Sequence, residues 1–234
     1  MAFTLYNYVL SGNCYKVRLL ASLLGVEYET VAVDFHPGQE HRREAMLQLN
    51  PAATLPIMVT PHQILTETQA MLVWLAQAHD ASCTWWPVND HERITTITQY
   101  LGFASRLSTS IGELRQHTML NKQIDVAAAR AGSIAVLREL ESHLSEQRIR
   151  GQQWVAGQSP TIADIACFPY VALSPDAGLE HDEFPAIRSW LHAVRSLDGF
   201  VTMPGIHALH EQRKLSTETH LESAASDKRH APVQ

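Results

Sequence analysis

Ser11 and Cys14 are the residues whose types and spacing point most directly to chemistry. They stand three positions apart in the segment LSGNCYKVRLL, where a thiol–disulfide oxidoreductase would carry Cys-x-x-Cys. The Ser11 hydroxyl cannot form a mixed disulfide, but it can donate a hydrogen bond to an anion beside a helix N-terminus. Such a site could lower the pKa of a bound thiol from about 8.5 to near neutrality, which requires roughly 2 kcal/mol. The structural alternative is that Ser11 serves only as a helix N-cap.

Two further motifs extend this candidate site. Pro56 begins a predicted strand in ATLPIM, where a cis bond would expose the backbone of Leu55 for pairing with an extended peptide. Glu67 and Thr68 stand at a second strand-to-helix junction, where a hydroxyl and backbone amides can bind a carboxylate. A trans edge-strand proline and a capping pair are the structural alternatives. Together the motifs predict one groove between a strand edge and two helix N-termini.

Hydrophobic periodicity predicts the elements that position these residues. Residues 3–9 and 27–33 have strand composition, and the helix between them is capped by Ser11 or Asn13 and ends at Gly25. A short helix to residue 49, a hairpin around Pro61 and a helix after Thr68 follow. The order β-α-β-α-β-β-α predicts an α/β unit with mixed strand directions, because the hairpin is antiparallel and the crossover is parallel.

The pattern becomes entirely helical after about residue 81. We therefore predict an α/β domain at 1–80, a linker at 81–89, an all-helical domain at 90–210 and a polar, disordered tail at 211–234. The motif SPTIAD is a capping box, in which we give Thr161 and Asp164 a folding role outside the active site. The predicted helices of the second domain span 91–115, 122–148, 161–174 and 183–196.

Composition excludes several classes of function. The chain of 234 residues has a formal net charge of −6, which argues against nucleic acid as the main partner. The N-terminus lacks the features of a secretory signal, and no apolar run approaches the roughly 20 residues that span a bilayer. The chain has three widely spaced cysteines, an odd number that fits a reducing cytoplasm better than a disulfide framework. We expect no metal site, since even the closely spaced His207 and His210 are better explained as structural or exposed.

In its motifs the sequence resembles the serine-type, bacterial-like members of the cytosolic glutathione S-transferase family. The resemblance rests on SGNCYKVRLL, NPAATLPIM, LTETQAMLVWLA and SPTIADIACFPYVAL in this order, and it covers about residues 3–204. It implies a thioredoxin-like N-terminal domain that binds glutathione, followed by an all-helical domain that contributes the second-substrate pocket. It further implies a cytoplasmic homodimer that attacks a hydrophobic electrophile with the glutathione thiolate.

The resemblance also assigns roles to residues. Ser11 matches the serine that stabilises the thiolate, and Asn13 is a second donor to the sulfur. The backbone of Leu55 matches the partner of the cysteinyl part of glutathione. The remaining implied glutathione-binding residues are His41, Thr54, Pro56, Glu67 and Thr68, and the implied second-substrate residues are Tyr100, Phe103, Arg106 and Leu107.

Some positions depart from the family pattern or leave alternatives open. Ala53 and Gln69 replace polar or basic residues of several members, so glutathione affinity should be modest. Tyr6 and Tyr8 occupy the strand on which tyrosine-type members keep their catalytic hydroxyl, and we expect both to pack in the sheet. Cys14 should be partly buried and inert. Disulfide reduction or isomerisation with glutathione, and a non-catalytic binding module, remain alternative functions.

Overall fold

The computed structural model describes residues 2–209. The predicted tail at 211–234 lies outside the described residues. The helices and strands follow in the order β1 Thr4–Asn7, α1 Gly12–Leu23, β2 Glu29–Ala32, α2 Glu44–Leu49, β3 Ile57–Val59, β4 Ile64–Leu65, α3 Thr68–His79, α4 His91–Leu120, α5 Val126–Ile149, α6 Ile162–Ala172 and α7 Pro185–Arg195. Short 3₁₀ helices span Glu40–Arg42 and Ser174–Ala177.

Within residues 2–209 the strands form one mixed sheet with the spatial order β2-β1-β3-β4. Strand β1 pairs in parallel with β2, so that Leu5 lies opposite Thr30. It pairs antiparallel with β3, where Leu5 lies opposite Met58, and the β3–β4 hairpin is antiparallel too. The parallel pair requires the α1 crossover, which places the start of α1 at the end of β1. This arrangement confirms the predicted mixed α/β unit.

Helix α1 is buried between the sheet domain and the helical domain. Its buried residues include Tyr15 and Lys16, and it packs against both α3 and α6. The Tyr15 hydroxyl donates to the Val201 carbonyl at 2.6 Å, so the segment after α7 also closes over this helix. One large hydrophobic cluster runs through both domains and includes Leu5 of β1 and Val194 of α7. The domains therefore share a core.

The helical domain is held together by buried polar contacts as well as by apolar packing. Asp164 completes the predicted capping box with Thr161 at the start of α6. Its carboxylate also accepts hydrogen bonds from Val155 N and Trp190 Nε1, both at 2.9 Å. Glu141 of α5 accepts from the first free amides of α7 and thereby caps a neighbouring helix. The folding role predicted for Asp164 agrees with these contacts.

The all-helical character predicted for the second half is confirmed, and one helix end was placed too early. Helix α4 runs to Leu120, five residues beyond the predicted end at Arg115. Asn121 ends it in the left-handed region at φ 56°, which is a helix C-cap conformation that asparagine tolerates. The extra turns of α4 matter because they form part of the cavity described next.

Candidate functional site

A cavity of about 220 Å³ lies where the first turn of α1 meets the second half of α4. The loop before β3 and a tyrosine of α6 complete its walls. Among the described residues that line it, Arg115 is the one cationic side chain and none is acidic. The lining residues are Tyr8, Leu10, Ser11, Gly12, Asn13, Phe35, Ala53, Thr54, Leu55, Gly112, Arg115, Gln116, Met119, Leu120 and Tyr170.

Ser11 lies at the junction of the β1–α1 loop and the helix, with extended backbone angles of φ −79° and ψ 118°. Its Oγ accepts a hydrogen bond from Cys14 N at 3.2 Å, so the structural N-cap role is real. The Ser11 hydroxyl hydrogen can turn to the buried Cys14 sulfur, a bond that lowers the pKa of that thiol, or rotate towards the cavity. The two roles are therefore compatible, because the oxygen caps α1 while the O–H stays available to donate into the cavity.

Asn13 also lines the cavity and ties the start of α1 to the helical domain. Its Oδ1 accepts from Ser108 Oγ of α4 at 3.4 Å. The same Ser108 hydroxyl oxygen accepts from Lys16 Nζ at 3.3 Å. The first turn of α1 is thus linked to α4 through Ser108.

Cys14 lies inside the protein rather than at its surface. It has no exposed surface, and its Sγ accepts a hydrogen bond from Tyr8 N at 3.5 Å. Burial raises the pKa of the Cys14 thiol, which the hydrogen bond to Ser11 opposes to a smaller degree. The thiol is therefore protonated near neutral pH and shielded from disulfide exchange, in line with the predicted inert role and more deeply buried than predicted.

The loop before β3 contributes Ala53, Thr54 and Leu55 to the cavity. Asn50 Nδ2 braces this loop by donating to Thr54 O at 3.0 Å and to Thr54 Oγ1 at 2.9 Å. The Leu55–Pro56 peptide bond is cis, as predicted. Within the described part of the chain, neither the N–H nor the C=O of Leu55 takes part in a hydrogen bond. Leu55 therefore presents a free backbone donor and acceptor at the cavity wall.

Other predicted glutathione-binding residues lie outside the cavity lining. Glu67 is exposed at the N-cap position of α3 and makes no capping bond with its side chain, while Thr68 is buried in the first turn. His41 is buried behind the wall, with its ring stacked on Phe35 at 4.1 Å between centroids. Burial lowers the pKa of His41, and the charge of Arg42 lowers it further. Pro56 is buried beyond Leu55 and does not line the cavity.

The structure does not bring the predicted second-substrate residues to the cavity. Tyr100, Phe103 and Leu107 are buried in the shared core. Arg106 is exposed and forms a two-bond ion pair with Glu139 of α5, at 2.8 Å and 2.6 Å. The physical reason is the path of α4: around residues 101–105 it contacts Gln69 of α3, and it reaches the start of α1 only at Ser108. The cavity is lined by later turns of the same helix.

Three cavity residues were missed by reasoning from the sequence. Tyr8 lies beyond the end of β1, where it packs against a buried cluster beside the sheet as expected, and its ring, 5.4 Å from that of Phe35, also lines the cavity. Burial raises the pKa of Tyr170 to about 12, and its ring fills the space between α1 and α4. Arg115 continues the stripe that begins at Tyr100 and Phe103, which was the signal available in the sequence.

Two properties of residues 2–209 bear on the site. No helix in that range combines the length and the apolar character needed to cross a membrane. The same range contains no group of three or more histidine, cysteine, aspartate or glutamate side chains that could hold a metal ion.

Family models match both halves of the chain. The model of the glutathione S-transferase N-terminal domain matches residues 5–82. The model of the glutathione S-transferase C-terminal domain matches residues 123–193. The two matches follow each other in the order that the sequence motifs predicted.

Individual relatives are similar over most of their length. The chain is 26% identical to glutathione S-transferase theta-2 from Mus musculus over 210 residues, which covers 85% of this chain and 83% of that protein. It is 28% identical to maleylpyruvate isomerase from a Ralstonia species over 204 residues, or 84% of this chain and 93% of the relative. The crystal structure of a possible glutathione S-transferase from Rhodopseudomonas palustris superposes with a TM-score of 0.77 at 29% identity, covering 87% of this chain and 98% of that one.

Proposed function

We propose that this chain, which belongs to the glutathione S-transferase family, activates the glutathione thiol through Ser11 and directs the thiolate at an electrophile in the cavity. The family and the transferase class predicted from the sequence are confirmed by the two domain matches and the relatives. The observation that supports the serine-type assignment is the Ser11 hydroxyl, which lines the cavity at the start of α1 and whose hydrogen can rotate towards a ligand while its oxygen caps the helix.

Stabilisation of the thiolate would come from two sources. The Ser11 O–H would donate to the sulfur, and Asn13 would be a second donor. The unpaired amides in the first turn of α1 add the positive end of the helix dipole. A hydrogen bond to a charged acceptor contributes about 1.5–3 kcal/mol, and a helix terminus about 0.3–1 kcal/mol. Their sum matches the roughly 2 kcal/mol that half-ionises an ordinary thiol at pH 7.

Glutathione would extend from this point along the N-terminal domain. The free backbone groups of Leu55 are suited to pair with its cysteinyl residue, because they offer a donor and an acceptor as a strand edge does. Thr54 and Pro56 hold Leu55 in place. Glu67 and Thr68, at the start of α3, would bind the γ-glutamyl end, where the carboxylate of Glu67 suits the amino group. His41 would support the glycyl end from behind Phe35.

The second substrate would occupy the apolar side of the cavity. Phe35, Leu10, Met119 and Leu120 supply apolar surface there, which suits a hydrophobic electrophile. We assign this role to the last turns of α4 in place of Tyr100, Phe103, Arg106 and Leu107. In the reaction the thiol proton passes to solvent and the sulfur forms a bond to the electrophilic carbon. In a substitution the leaving group departs with the electrons of the broken bond.

Isomerisation of an acidic substrate is a second candidate. The cavity is lined by the guanidinium of Arg115 and by no acidic side chain among the described residues, which favours an anion. A relative named maleylpyruvate isomerase is consistent with this possibility. The two activities differ in a simple readout, because conjugation consumes glutathione and isomerisation regenerates it. Assembly as a homodimer in the cytoplasm completes the proposal.

The test is the ultraviolet absorbance of bound glutathione thiolate between pH 5 and 9. In the native protein we expect a titration midpoint well below that of free glutathione, and in Ser11→Ala a midpoint about one pKa unit higher. Cys14→Ser is the matched control, because it keeps an acceptor for Tyr8 N and should retain the native midpoint and activity. Loss of activity in Cys14→Ser with native thiol titration in Ser11→Ala would instead support a glutaredoxin-like oxidoreductase. Bound glutathione with an ordinary thiol pKa in all three proteins would support a non-catalytic module.

A further inference from the structure

Arg115 of α4 connects the helical domain to the loop that carries Ser11. Its residue surface is only 7% exposed. Its Nη1 donates to the Leu10 carbonyl at 2.8 Å, and its Nε donates to Asp176 Oδ2 at 2.9 Å. We propose that Arg115 is a positioning residue which fixes the Ser11 hydroxyl through the Leu10–Ser11 peptide and adds positive charge at the thiolate site. The inference rests on the proposed role of Ser11.

Arg115 holds a single peptide unit of the β1–α1 loop. The Leu10 carbonyl and the Ser11 N–H belong to the same planar group. Arg115 binds the carbonyl, while Ser11 N donates to the Tyr8 carbonyl at 3.0 Å. Both ends of this peptide are therefore held, and its orientation sets the direction of the Ser11 Cα–Cβ bond. Loss of Arg115 leaves the carbonyl end to water and lets the peptide rotate.

The anchor of Arg115 is also well defined. Asp176 lies in the short helix Ser174–Ala177, which follows α6 and packs against α4. Its carboxylate fixes the guanidinium from the side of Nε, which directs Nη1 towards Leu10. The connection from Asp176 through Arg115 to Leu10 therefore links the helical domain to the β1–α1 loop, and its position depends on the packing of α4 against the segment that follows α6.

The charge of the Arg115 guanidinium is poorly screened by water. The side chain of Arg115 is 9% exposed and that of Asp176 is 31% exposed, so water screens the carboxylate better than it screens the cation. Nη2 of Arg115 is buried and has no hydrogen-bond partner among the described residues. Burial raises the pKa of the Tyr8 and Tyr170 hydroxyls, and the charge of Arg115 opposes that rise at both. These phenols line the cavity, so the positive field extends into the space where the sulfur would lie.

The experiment measures the pKa of glutathione bound to Arg115→Met and Arg115→Lys by thiolate absorbance, alongside the pH dependence of kcat/KM. In Arg115→Met the pKa of the bound thiol should rise by about one unit. At pH values below the native titration midpoint, the thiolate fraction and kcat/KM should therefore fall about tenfold. KM for glutathione should change less than kcat. Arg115→Lys keeps the charge but lacks the fork that reaches both partners, so its pKa should lie between those of the native protein and Arg115→Met.

Arg93→Met is the matched control for a purely structural loss. Arg93 lies on the same helix and binds the carbonyls of Ala156 and Ser159 at 2.7 Å and 2.8 Å, away from the cavity. The Arg93→Met variant should be less stable than the native protein, with an unchanged pKa of the bound glutathione thiol. A native thiol pKa in Arg115→Met, or in Arg115→Lys if the methionine variant does not fold, overturns the inference. Failure of Ser11→Ala to raise the thiol pKa would overturn the proposed function instead, so the two failures are distinguishable.

Discussion

Lys16 lies on α1 at the contact between the two domains, with no surface exposed to solvent. Its Nζ donates to Ser108 Oγ at 3.3 Å and lies 5.0 Å from the centroid of the Tyr170 ring. Within residues 2–209 no carboxylate forms an ion pair with it. Burial lowers its pKa from 10.5 to about 8, and the neighbouring Cys167 opposes this shift only in part. A charged lysine is thus held in the core by a hydroxyl and an aromatic ring.

We expect Lys16→Met to change how stability depends on pH. Below pH 8 the lysine is protonated in both the folded and the unfolded chain, so the full cost of burying its charge is present, about 3 kcal/mol. Between about pH 8 and 10.5 the folded protein releases this proton while the unfolded chain keeps it, and wild-type stability therefore rises with pH. Methionine does not titrate. The advantage of Lys16→Met over wild type should accordingly shrink by about 2 kcal/mol between pH 7 and 9.5.

The absolute difference at pH 7 is smaller than the charge term because methionine loses the contacts with Ser108 and Tyr170, each worth about 1 kcal/mol. Urea unfolding of both proteins at pH 7 and 9.5, at one protein concentration, measures the change directly. Other titrating groups cancel in the comparison. Lys122→Met is the control, since Lys122 is exposed beside Glu113 and its substitution should have the same effect at both pH values. A Lys16→Met difference that stays constant across this range would refute the reasoning.

Two further predictions concern the helical domain. Asp164→Asn replaces an acceptor oxygen by an amide that faces N–H or O–H donors, so the free energy of unfolding should fall by about 3 kcal/mol. Asp90 is an exposed N-cap with one bond to Arg93 N, so Asp90→Asn should change the free energy of unfolding by less than about 0.5 kcal/mol. If urea unfolding showed the same loss for Asp90→Asn as for Asp164→Asn, this account would be contradicted. Glu141→Ala leaves two α7 amides without their partner and should cost about 1–2 kcal/mol. Glu139→Ala removes only an exposed ion pair and should cost under about 1 kcal/mol, so a loss as large as that of Glu141→Ala would count against the capping role.

The order of strands and helices was predictable because its signals are local. Ser11 precedes the apolar stripe of α1, and Gly25 follows that helix with φ 65°, a conformation that glycine adopts without strain. The capping box of α6 lies within four consecutive residues. Such signals involve neighbours in the chain, so they need no knowledge of how the elements pack.

The N-terminal half of the cavity was predictable for the same reason, and the α4 half was not. Ser11 and Leu55 stand at element boundaries, which the sequence marks. Which turn of a 30-residue helix faces the cavity depends on where that helix crosses α1, and periodicity repeats at every turn. Tyr100 and Arg115 both lie on α4, and the sequence does not show which other helices pack against each of their turns. The end of α4 was also predicted five residues early, so Met119 and Leu120 were not assigned to this helix.

The Tyr170 ring forms one wall of the cavity, and its position is fixed by contacts with two helices. A Cβ on Gly12 would lie 3.0 Å from the ring, and one on Gly112 would lie 2.7 Å from it, so the ring already touches the backbone of α1 on one side and of α4 on the other. The start of α1 and the middle of α4 are thus separated by the width of one aromatic ring. Such close packing leaves little room for a change in the size of this side chain. Under the proposed function, substrate range would be adjusted at the rim, where Gln116, Met119 and Leu120 can change size without disturbing the contacts of the Tyr170 ring. A library randomised at those rim positions would diversify specificity while leaving thiol activation intact.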